Sequence, residues 1–389
     1  MTLSRAAAIA GIGATEFSKD SGRSELRLAA ECVTHALADA GLVASDVDGL
    51  VSFTMDGTAE IALARELGIP ELSFFSRVHY GGGAAAATVQ QAAMAVATGI
   101  ADVVVTYRAF NERSGQRFGR VSAAAAAQVN SSGVDNAFHY PMGIATPAAT
   151  VAMVAQRYLH DYGATSEDFG RIAVVDRAHA ATNPAAWFHG RPITLAEHQA
   201  SRWVAEPLHL LDCCQESDGG VALVVTSAER ARDLRHPPAV VAAAAQGSGP
   251  DQYVMTSYYR DDLAALPEMG VVGRQLWAQS GLGPSDVDVA VLYDHFTPYV
   301  LMQLEELGFC GRGEAKDFIA GDTLTLNGPL PLNPHGGQLG EAYIHGMNGI
   351  AEAVRQVRGT AVNQVRGVDA VVVTAGTGVP TSGLVLTRD

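Results

Sequence analysis

The sequence is poor in cysteine and in basic residues. It has four cysteines in 389 residues, and 26 lysines and arginines stand against 41 aspartates and glutamates, giving a formal net charge of −15. Four cysteines are too few for a secreted disulfide framework, and the adjacent pair Cys213 and Cys214 lacks metal-ligand spacing. Nucleic-acid binding needs a clustered basic face, which this balance argues against. We predict no metal site and no nucleic-acid partner.

Uninterrupted apolar runs of membrane-spanning length are also missing. The charge-free stretch 78–101 contains a histidine and three successive glycines, and the stretch 136–156 is broken by Pro141 and Pro147. The apolar stretch 6–13 lacks the basic flank of a signal peptide and reads as a first β-strand. We expect a cytoplasmic protein without a membrane span.

What the chain does contain is an internal repeat. Hydrophobic residues make up 48% of the sequence, enough for a sizeable core. The segment Gly41–Asp48 recurs as Gly281–Asp288, about 240 residues later. Each copy follows an amphipathic, helix-like stretch (26–40 and 271–280) and precedes an apolar strand (49–53 and 289–293).

A second pair of similar segments follows in the same order. The valine-rich runs 102–106 and 370–374 suit central strands that helices cover on both faces. Two similar α/β halves, 1–238 and 239–389, are therefore predicted, with the boundary after Pro237 and Pro238.

The first half carries an excess of sequence at about 110–211. Within it, 150–162 and 166–181 have the periodicity of amphipathic helices, the second opened by Ser166. Insertions of this size commonly cover a site or bind a partner.

Three motifs, together with the repeat, resemble the thiolase superfamily over nearly the whole chain, above all its sterol-carrier-type and lipid-transfer thiolase-like members. The resemblance implies an α/β thiolase fold, with two pseudo-duplicated βαβαβ halves stacked in five layers and an inserted loop domain in the first half. The motifs lie at Ala205–Val224, at Asn333–Gly349 and at Tyr293–Phe296.

The chain departs from the family pattern at each catalytic position. The nucleophilic cysteine falls at about Gly82, the catalytic histidine matches Tyr343, and the asparagine of the Asn-Glu-Ala-Phe motif matches Tyr293. The C-terminal cysteine matches the turn 374–378. Claisen chemistry through an acyl-enzyme needs a thiolate and its base, and this pattern has neither.

Two phenols at two catalytic positions fit a change of reaction better than the decay of an enzyme to a binding protein. A similar pattern belongs to the thiolase-like aldolases of bacterial steroid side-chain degradation. That resemblance implies a lyase performing retro-aldol cleavage of a steroid β-hydroxyacyl-CoA to a 17-keto steroid and propionyl-CoA. Two alternatives stay open, a non-catalytic lipid or acyl-CoA carrier and a subunit that only supports a catalytic partner.

A retro-aldol reaction needs a base, an acid and donors for an enolate, but no nucleophile. We expect Tyr293 and Tyr343 to share the proton transfers and Asp294 or His295 to tune them; the sequence does not say which tyrosine is the base. The competing interpretations are a turn cap for Asp294 and a structural, hydrogen-bonded role for His295.

Glycine turns are the expected donors for the thioester oxyanion. The backbone N–H groups of the Gly376 turn come first, with His345 or the turn 81–83 as alternatives, and a helix N-terminus at Gly82 would favour negative charge. The triple glycine also removes side-chain bulk where an acyl chain would lie.

The resemblance extends to partners. It implies a homodimer paired through strands of the first half, and a small OB-fold protein with a zinc ribbon that completes an α2β2 assembly. It implies no cofactor bound by this chain, since coenzyme A enters as part of the substrate.

Overall fold

The computed structural model describes residues 3–79, 81–115, 117, 137, 139–253, 255, 258–376 and 381–389. Within these residues no helix is both long and apolar enough to cross a membrane. The remaining residues include 377–380, so that part of the predicted glycine turn lies outside the described residues.

The first half alternates strands and helices around an insertion. Its strands and helices are β1 (Ala7–Ala14), α1 (Glu25–Ala40), β2 (Gly49–Phe53), α2 (Glu60–Leu67), β3 (Phe74–Val78), α3 (Ala85–Ala97), β4 (Val103–Asn111), β7 (Asp218–Ser227) and α7 (Ala228–Arg232). The insertion contributes α4 (Pro147–Tyr162), α5 (Ser166–Thr182), α6 (Leu195–Ala200), β5 (Trp203–Ala205) and β6 (Leu208–His209).

The second half repeats the alternation. It contains β8 (Ala239–Gly247), α8 (Pro267–Ser280), β9 (Val289–Val291), α9 (Thr297–Glu306), α10 (Ala315–Phe318), α11 (Gly337–Gly340), α12 (Met347–Arg358), β10 (Ala370–Ala375) and β11 (Thr381–Thr387).

Among the described residues, nine strands form one continuous sheet in the order β3-β2-β4-β7-β1-β8-β11-β10-β9. The two halves join where β1 pairs antiparallel with β8, through Ala8 opposite Val240 and Ile9 opposite Ala239. One buried cluster lies between the halves and includes side chains of α3 and α12. A second covers the outer side of the first half with α1, and a third covers the second half with α8 and α9. The helices and the two parts of the sheet therefore form five alternating layers, as the thiolase resemblance implies.

The sequence repeat produces the same local structure twice. Helices α1 and α8 both end at a left-handed glycine, Gly41 at φ 75° and Gly281 at φ 72°. A short 3-10 turn follows each, and then a strand. Asp48 Oδ1 accepts a hydrogen bond from Val103 N (2.9 Å). Asp288 Oδ2 in the same way accepts one from the backbone N–H at position 370 (2.9 Å). The repeated aspartate thus ties each turn to the neighbouring strand.

Most predicted elements occur with small shifts at their ends. The stretch 6–13 forms β1 rather than a leader helix, and the run 289–293 forms a strand only as far as Val291. Helix α5 starts at Ser166, but its N-cap is Thr165, whose backbone N–H donates to Asp168 Oδ2 (2.7 Å). This capping box stabilises the first turn of α5.

Candidate active site

Two tyrosines that follow different elements meet at their hydroxyls. The Tyr293 hydroxyl donates to the Tyr343 hydroxyl over 3.1 Å. Tyr293 follows β9 and is 2% exposed, while Tyr343 lies in the segment between α11 and α12 and is half-buried. The residues matched to the family asparagine and histidine are therefore in direct contact.

The backbone of Tyr293 is fixed on both sides by neighbouring side chains. Its N–H donates to Thr374 Oγ1 (2.9 Å), and its carbonyl accepts from Gln303 Nε2 (2.9 Å). The same Thr374 hydroxyl donates to Gln303 Oε1 (2.6 Å), which closes a ring of hydrogen bonds. This buried network fixes the backbone position from which the phenol extends into the site.

Gly82 and Gly376 allow the site to close around the phenol. A Cβ at Gly82 would lie 1.8 Å from the Tyr293 hydroxyl oxygen, so the space left by the missing side chain is filled by the tyrosine. Gly376, at φ 63°, packs so closely that a Cβ would lie 2.3 Å from Gly83 Cα. The Tyr293 phenol therefore fills the space at Gly82 that the sequence analysis assigned to the acyl chain. The two glycine turns predicted to bind the oxyanion do lie against each other.

His345 faces the same turn from the opposite side. Its Nδ1 accepts a hydrogen bond from Arg108 Nε (3.1 Å). A guanidinium has no acceptor, so the imidazole proton must sit on Nε2. Nε2 lies 3.7 Å from the position that a Cβ would take at Gly81. Burial and the nearby Arg108 charge hold the pKa of His345 well below its usual range, so the ring is a neutral N–H donor.

Asp294 points toward the backbone of α11. Its Oδ1 accepts from Gln338 N (2.8 Å) and its Oδ2 from Leu339 N (3.0 Å). Burial raises the pKa of Asp294 to about 6 and that of its buried neighbour Asp176 well above the usual range. The carboxylate thereby fixes the loop that leads to Tyr343.

His295 lies beside the tyrosine pair as a buried, neutral ring. Its centroid is 4.7 Å from that of Tyr293, and its carbonyl accepts from Cys214 N (2.8 Å). Burial lowers the pKa of His295 to about 3, so the imidazole does not carry a charge near neutral pH.

Burial also controls the ionisation of the phenols and of the nearest thiol. It raises the pKa of Tyr293 and of Tyr343 well above the usual range for tyrosine. Cys214 interacts electrostatically with both phenols, and burial raises its pKa well above the usual range for a thiol as well. In the resting site both tyrosine hydroxyls and the Cys214 thiol are therefore neutral.

Three residues of this centre were missed by the sequence analysis. Arg108 orients His345, Glu112 is a buried acid, and Ser217 Oγ accepts from Tyr343 N (3.2 Å). Arg108 lies within β4 and Glu112 directly follows it, and a charged residue in or beside a largely apolar strand was the available signal. In the described part of the chain, no group of three or more His, Cys, Asp or Glu has the geometry to hold a metal ion.

Comparisons with known proteins agree with this architecture. Residues 251–387 match the family described as "Thiolase C-terminal domain-like". The chain is 71% identical over 99% of its length to a 17-hydroxy-3-oxo-4-pregnene-20-carboxyl-CoA lyase of Mycobacterium tuberculosis, covering 100% of that protein. It is equally 71% identical over 99% of its length to a steroid side-chain-cleaving aldolase of Thermomonospora curvata, covering 98% of it.

A solved structure is similar throughout. The "Ltp2-ChsH2(DUF35) aldolase" superimposes with a TM-score of 0.96 at 69% sequence identity, covering 100% of this chain and 99% of that one. The chain belongs to the thiolase superfamily and has the thiolase fold. Within the superfamily it belongs with the side-chain-cleaving aldolases, and it is an enzyme of the carbon–carbon lyase class.

Proposed function

We propose that this lyase cleaves a steroid β-hydroxyacyl-CoA by a retro-aldol reaction. The substrate is the coenzyme A thioester of a 17-hydroxy steroid side chain, and the products are a 17-keto steroid and propionyl-CoA. The relatives support the substrate class, since the name of the Mycobacterium tuberculosis protein contains both a 17-hydroxyl and a carboxyl-CoA group. The 3.1 Å contact between the Tyr293 and Tyr343 hydroxyls carries the mechanistic part.

The tyrosine pair suits a proton relay better than a phenolate base. Both phenols are neutral because burial raises their pKa. A neutral phenol can accept the substrate hydroxyl proton only while it passes its own proton to the next group. In the proposed reaction one tyrosine takes that proton, the carbon–carbon bond breaks to give the ketone, and the other protonates the enolate carbon of the thioester. No covalent intermediate is needed, and no cysteine takes part.

The enolate oxygen needs donors that are already in position. His345 suits this role because its Nε2 carries the proton and lies close to the Gly81 turn. The backbone N–H groups of the Gly82 and Gly376 turns are the proposed companions, since glycine lets the backbone approach a ligand. His295 and Asp294 are proposed to shape the pocket and the Tyr343 loop.

Assembly is part of the proposal. Strand β3 is at one edge of the sheet and exposes Phe75 (62%), which fits a homodimer formed through the first half. The insertion exposes Trp203 (47%), Val204 (39%) and Leu210 (43%), a second apolar surface. We propose that a small OB-fold partner with a zinc ribbon binds there and completes an α2β2 complex. In support, the similar solved structure is named for two components, Ltp2 and ChsH2(DUF35).

The remaining parts of the proposal concern location and cofactors. We place the enzyme in the cytoplasm, where acyl-CoA substrates are formed. We propose that the chain binds no cofactor of its own, because coenzyme A arrives as part of the substrate. The reaction as written cleaves one carbon–carbon bond and transfers one proton without net oxidation or reduction, so it requires no electron carrier.

Product analysis tests the function directly. The purified chain, alone and co-expressed with the OB-fold partner, is mixed with the 17-hydroxy steroid acyl-CoA, and products are identified by mass spectrometry. We expect a 17-ketone and propionyl-CoA in equal amounts, and their loss in Tyr293→Phe and Tyr343→Phe. Substrate that binds tightly but stays intact in every sample would identify an acyl-CoA carrier instead. Turnover at full rate without the partner would exclude the obligate complex.

A further inference from the structure

Glu112 is a buried acid on the side of β4 that faces the active site. It comes directly after the last residue of β4 and is 3% exposed. Side chains alternate along a strand, so Arg108, Phe110 and Glu112 share one face. Both of the others touch His345, Arg108 by the Nε hydrogen bond and Phe110 by ring stacking with centroids 5.0 Å apart. Glu112 extends this row toward the tyrosines.

Ser217 lies between the Glu112 carboxyl group and the backbone of Tyr343. The pairing of β4 with β7 sets Asn111 opposite Asp218, which brings Glu112 beside Ser217. The backbone N–H of Ser217 donates to the Glu112 carboxyl group, and Ser217 Oγ accepts from Tyr343 N (3.2 Å). Glu112 Oε2 is buried and has no hydrogen-bond partner among the residues that the structure describes. A buried carboxyl oxygen without a hydrogen-bond partner costs folding free energy, so its presence calls for a functional explanation.

The proposed relay needs a group that can hold a proton for a time, and two neutral tyrosines do not provide one. A neutral phenol cannot hold a second proton, so uptake from the substrate hydroxyl and delivery to the enolate carbon would have to occur in one instant. The carbon–carbon bond breaks between these two events. A nearby group that can hold one proton would separate them.

We propose that Glu112 holds this proton, acting through the tyrosine pair. The inference rests on the proposed retro-aldol function. The substrate O–H bond breaks as a tyrosine O–H bond forms, and the proton displaced from the pair converts the Glu112 carboxylate to the acid. The electron pair of the broken carbon–carbon bond becomes the enolate. Glu112 then returns its proton through the pair to the enolate carbon, which restores all three groups. Glu112 touches no substrate atom and acts only through the tyrosine pair.

The charges around Glu112 fit this task. Lys19 faces it from the loop after β1, Arg108 from β4 and Arg117 from the segment after β4. Cys214 and Glu216 face it from the segment before β7, and the two phenols lie beyond. Burial, followed by the Glu216 charge, raises the pKa of Glu112 to about 9, while Lys19 and Arg108 oppose the rise. At that value the Glu112 carboxyl group changes its protonation state within the pH range in which turnover can be assayed.

The pH profile of turnover tests the proposal. Wild type, Glu112→Gln, Glu112→Asp and Lys19→Met are assayed as the full complex on the 17-hydroxy steroid acyl-CoA from about pH 6 to pH 10. We expect wild-type kcat to rise toward a plateau near the pKa of Glu112. Glu112→Gln should lower kcat by about 100-fold and abolish the rise, and Glu112→Asp should restore part of both. Lys19→Met should move the rise to higher pH, because a cation that lowers the Glu112 pKa is removed.

The possible results distinguish a failure of the proposed function from a failure of the role proposed for Glu112. A wild-type complex that yields no ketone refutes the proposed function itself. An active wild type together with a Glu112→Gln variant of unchanged kcat and pH profile overturns only the role of Glu112. If Lys19→Met abolishes the rise, the titrating group is Lys19 and the proposal is equally overturned. Should Glu112→Gln fail to fold, Glu112→Asp and Lys19→Met decide the question, since both retain the carboxyl group.

Discussion

Arg108 and His345 form a buried pair in which Arg108 Nε donates to His345 Nδ1 over 3.1 Å. The contact fixes the tautomer of the imidazole and keeps it neutral, because burial and the adjacent cation both disfavour a second proton. Arg108 Nη1 lies 3.2 Å from Asp56 Oδ2, and both side chains are buried. An ion pair on one side of the guanidinium therefore orients a neutral donor on the other.

This pair leads to a prediction for His345. Its backbone has φ 51°, a left-handed conformation that asparagine adopts more easily than most residues. His345→Asn should therefore fold, but its shorter amide would not reach the enolate oxygen. We expect kcat to fall by about 100-fold to 1000-fold, the usual cost of losing one oxyanion donor. Steady-state kinetics beside thermal unfolding measure both effects.

His189→Asn is the control for that experiment. His189 is exposed in the insertion, outside the tyrosine centre. Equal kcat values for His345→Asn and wild type would remove His345 from the oxyanion site and leave the two glycine turns as its donors.

Gly82 allows a sharper steric test. An added Cβ would lie 1.8 Å from the Tyr293 hydroxyl oxygen, which is incompatible with the present position of the phenol. Gly82 is not among the residues with positive φ, so alanine strains the backbone little. We expect Gly82→Ala to separate the two hydroxyls and lower kcat by about 10-fold or more through misplacement of the relay.

Gly283→Ala is the control for Gly82→Ala. Gly82 is the first residue of a 3-10 turn, Gly283 directly precedes one, and neither glycine has positive φ. The nearest atom to its Cβ position is Asp286 Oδ2, at 3.8 Å. This variant should keep wild-type activity. Comparable activities for the two alanine variants would contradict a catalytic need for the 3.1 Å hydroxyl contact.

The fold could be predicted from the sequence because its signals are local and repeated. The Gly41 and Gly281 segments each contain a helix-ending glycine followed by an aspartate that accepts a hydrogen bond from a neighbouring strand of the sheet. The homologous positions of Tyr293 and Tyr343 were found by motif, and the structure adds that their hydroxyls touch.

Contacts that cross between distant segments could not be read in the same way. Arg108 and His345 are 237 residues apart, and nothing in the local sequence of β4 specifies that contact. Asp294 illustrates the same limit, since only the folded chain reveals that its carboxylate faces Gln338 and Leu339. Sequence patterns specify elements, whereas the electrostatics of the centre depends on which elements become neighbours.

Glu112 should make stability depend on pH. Burial raises its pKa from an ordinary 4.5 to about 9. Between these values the folded state holds a proton that the unfolded state has released, so this group's contribution to stability falls as pH rises. The full slope for one proton is about 1.4 kcal/mol per pH unit. Glutamine does not titrate, so the Tm of Glu112→Gln minus the Tm of wild type should increase from about pH 5 to pH 9.

Glu66→Gln supplies the comparison for those unfolding curves. Glu66 is an exposed residue of α2, where the same substitution removes a glutamate in contact with solvent. Its Tm difference from wild type should stay constant with pH. A constant difference for Glu112→Gln as well would mean that the carboxyl of Glu112 titrates normally in the folded protein.

The apolar surface of the insertion leads to a prediction for assembly. Trp203 and Val204 lie in β5, and Trp203 stacks on His209 of β6 with ring centroids 3.7 Å apart. The stack holds the hairpin rigid while Val204 stays 39% exposed. Because a charge in an apolar interface must be desolvated without a partner, Val204→Asp should weaken binding of the OB-fold partner by about 10-fold or more.

Val362→Asp introduces the same charge at a valine that is 61% exposed in the second half. Co-purification and calorimetric titration of the two variants should then diverge, with Val362→Asp retaining the complex. Equal retention of the partner by both variants would move the docking surface away from β5.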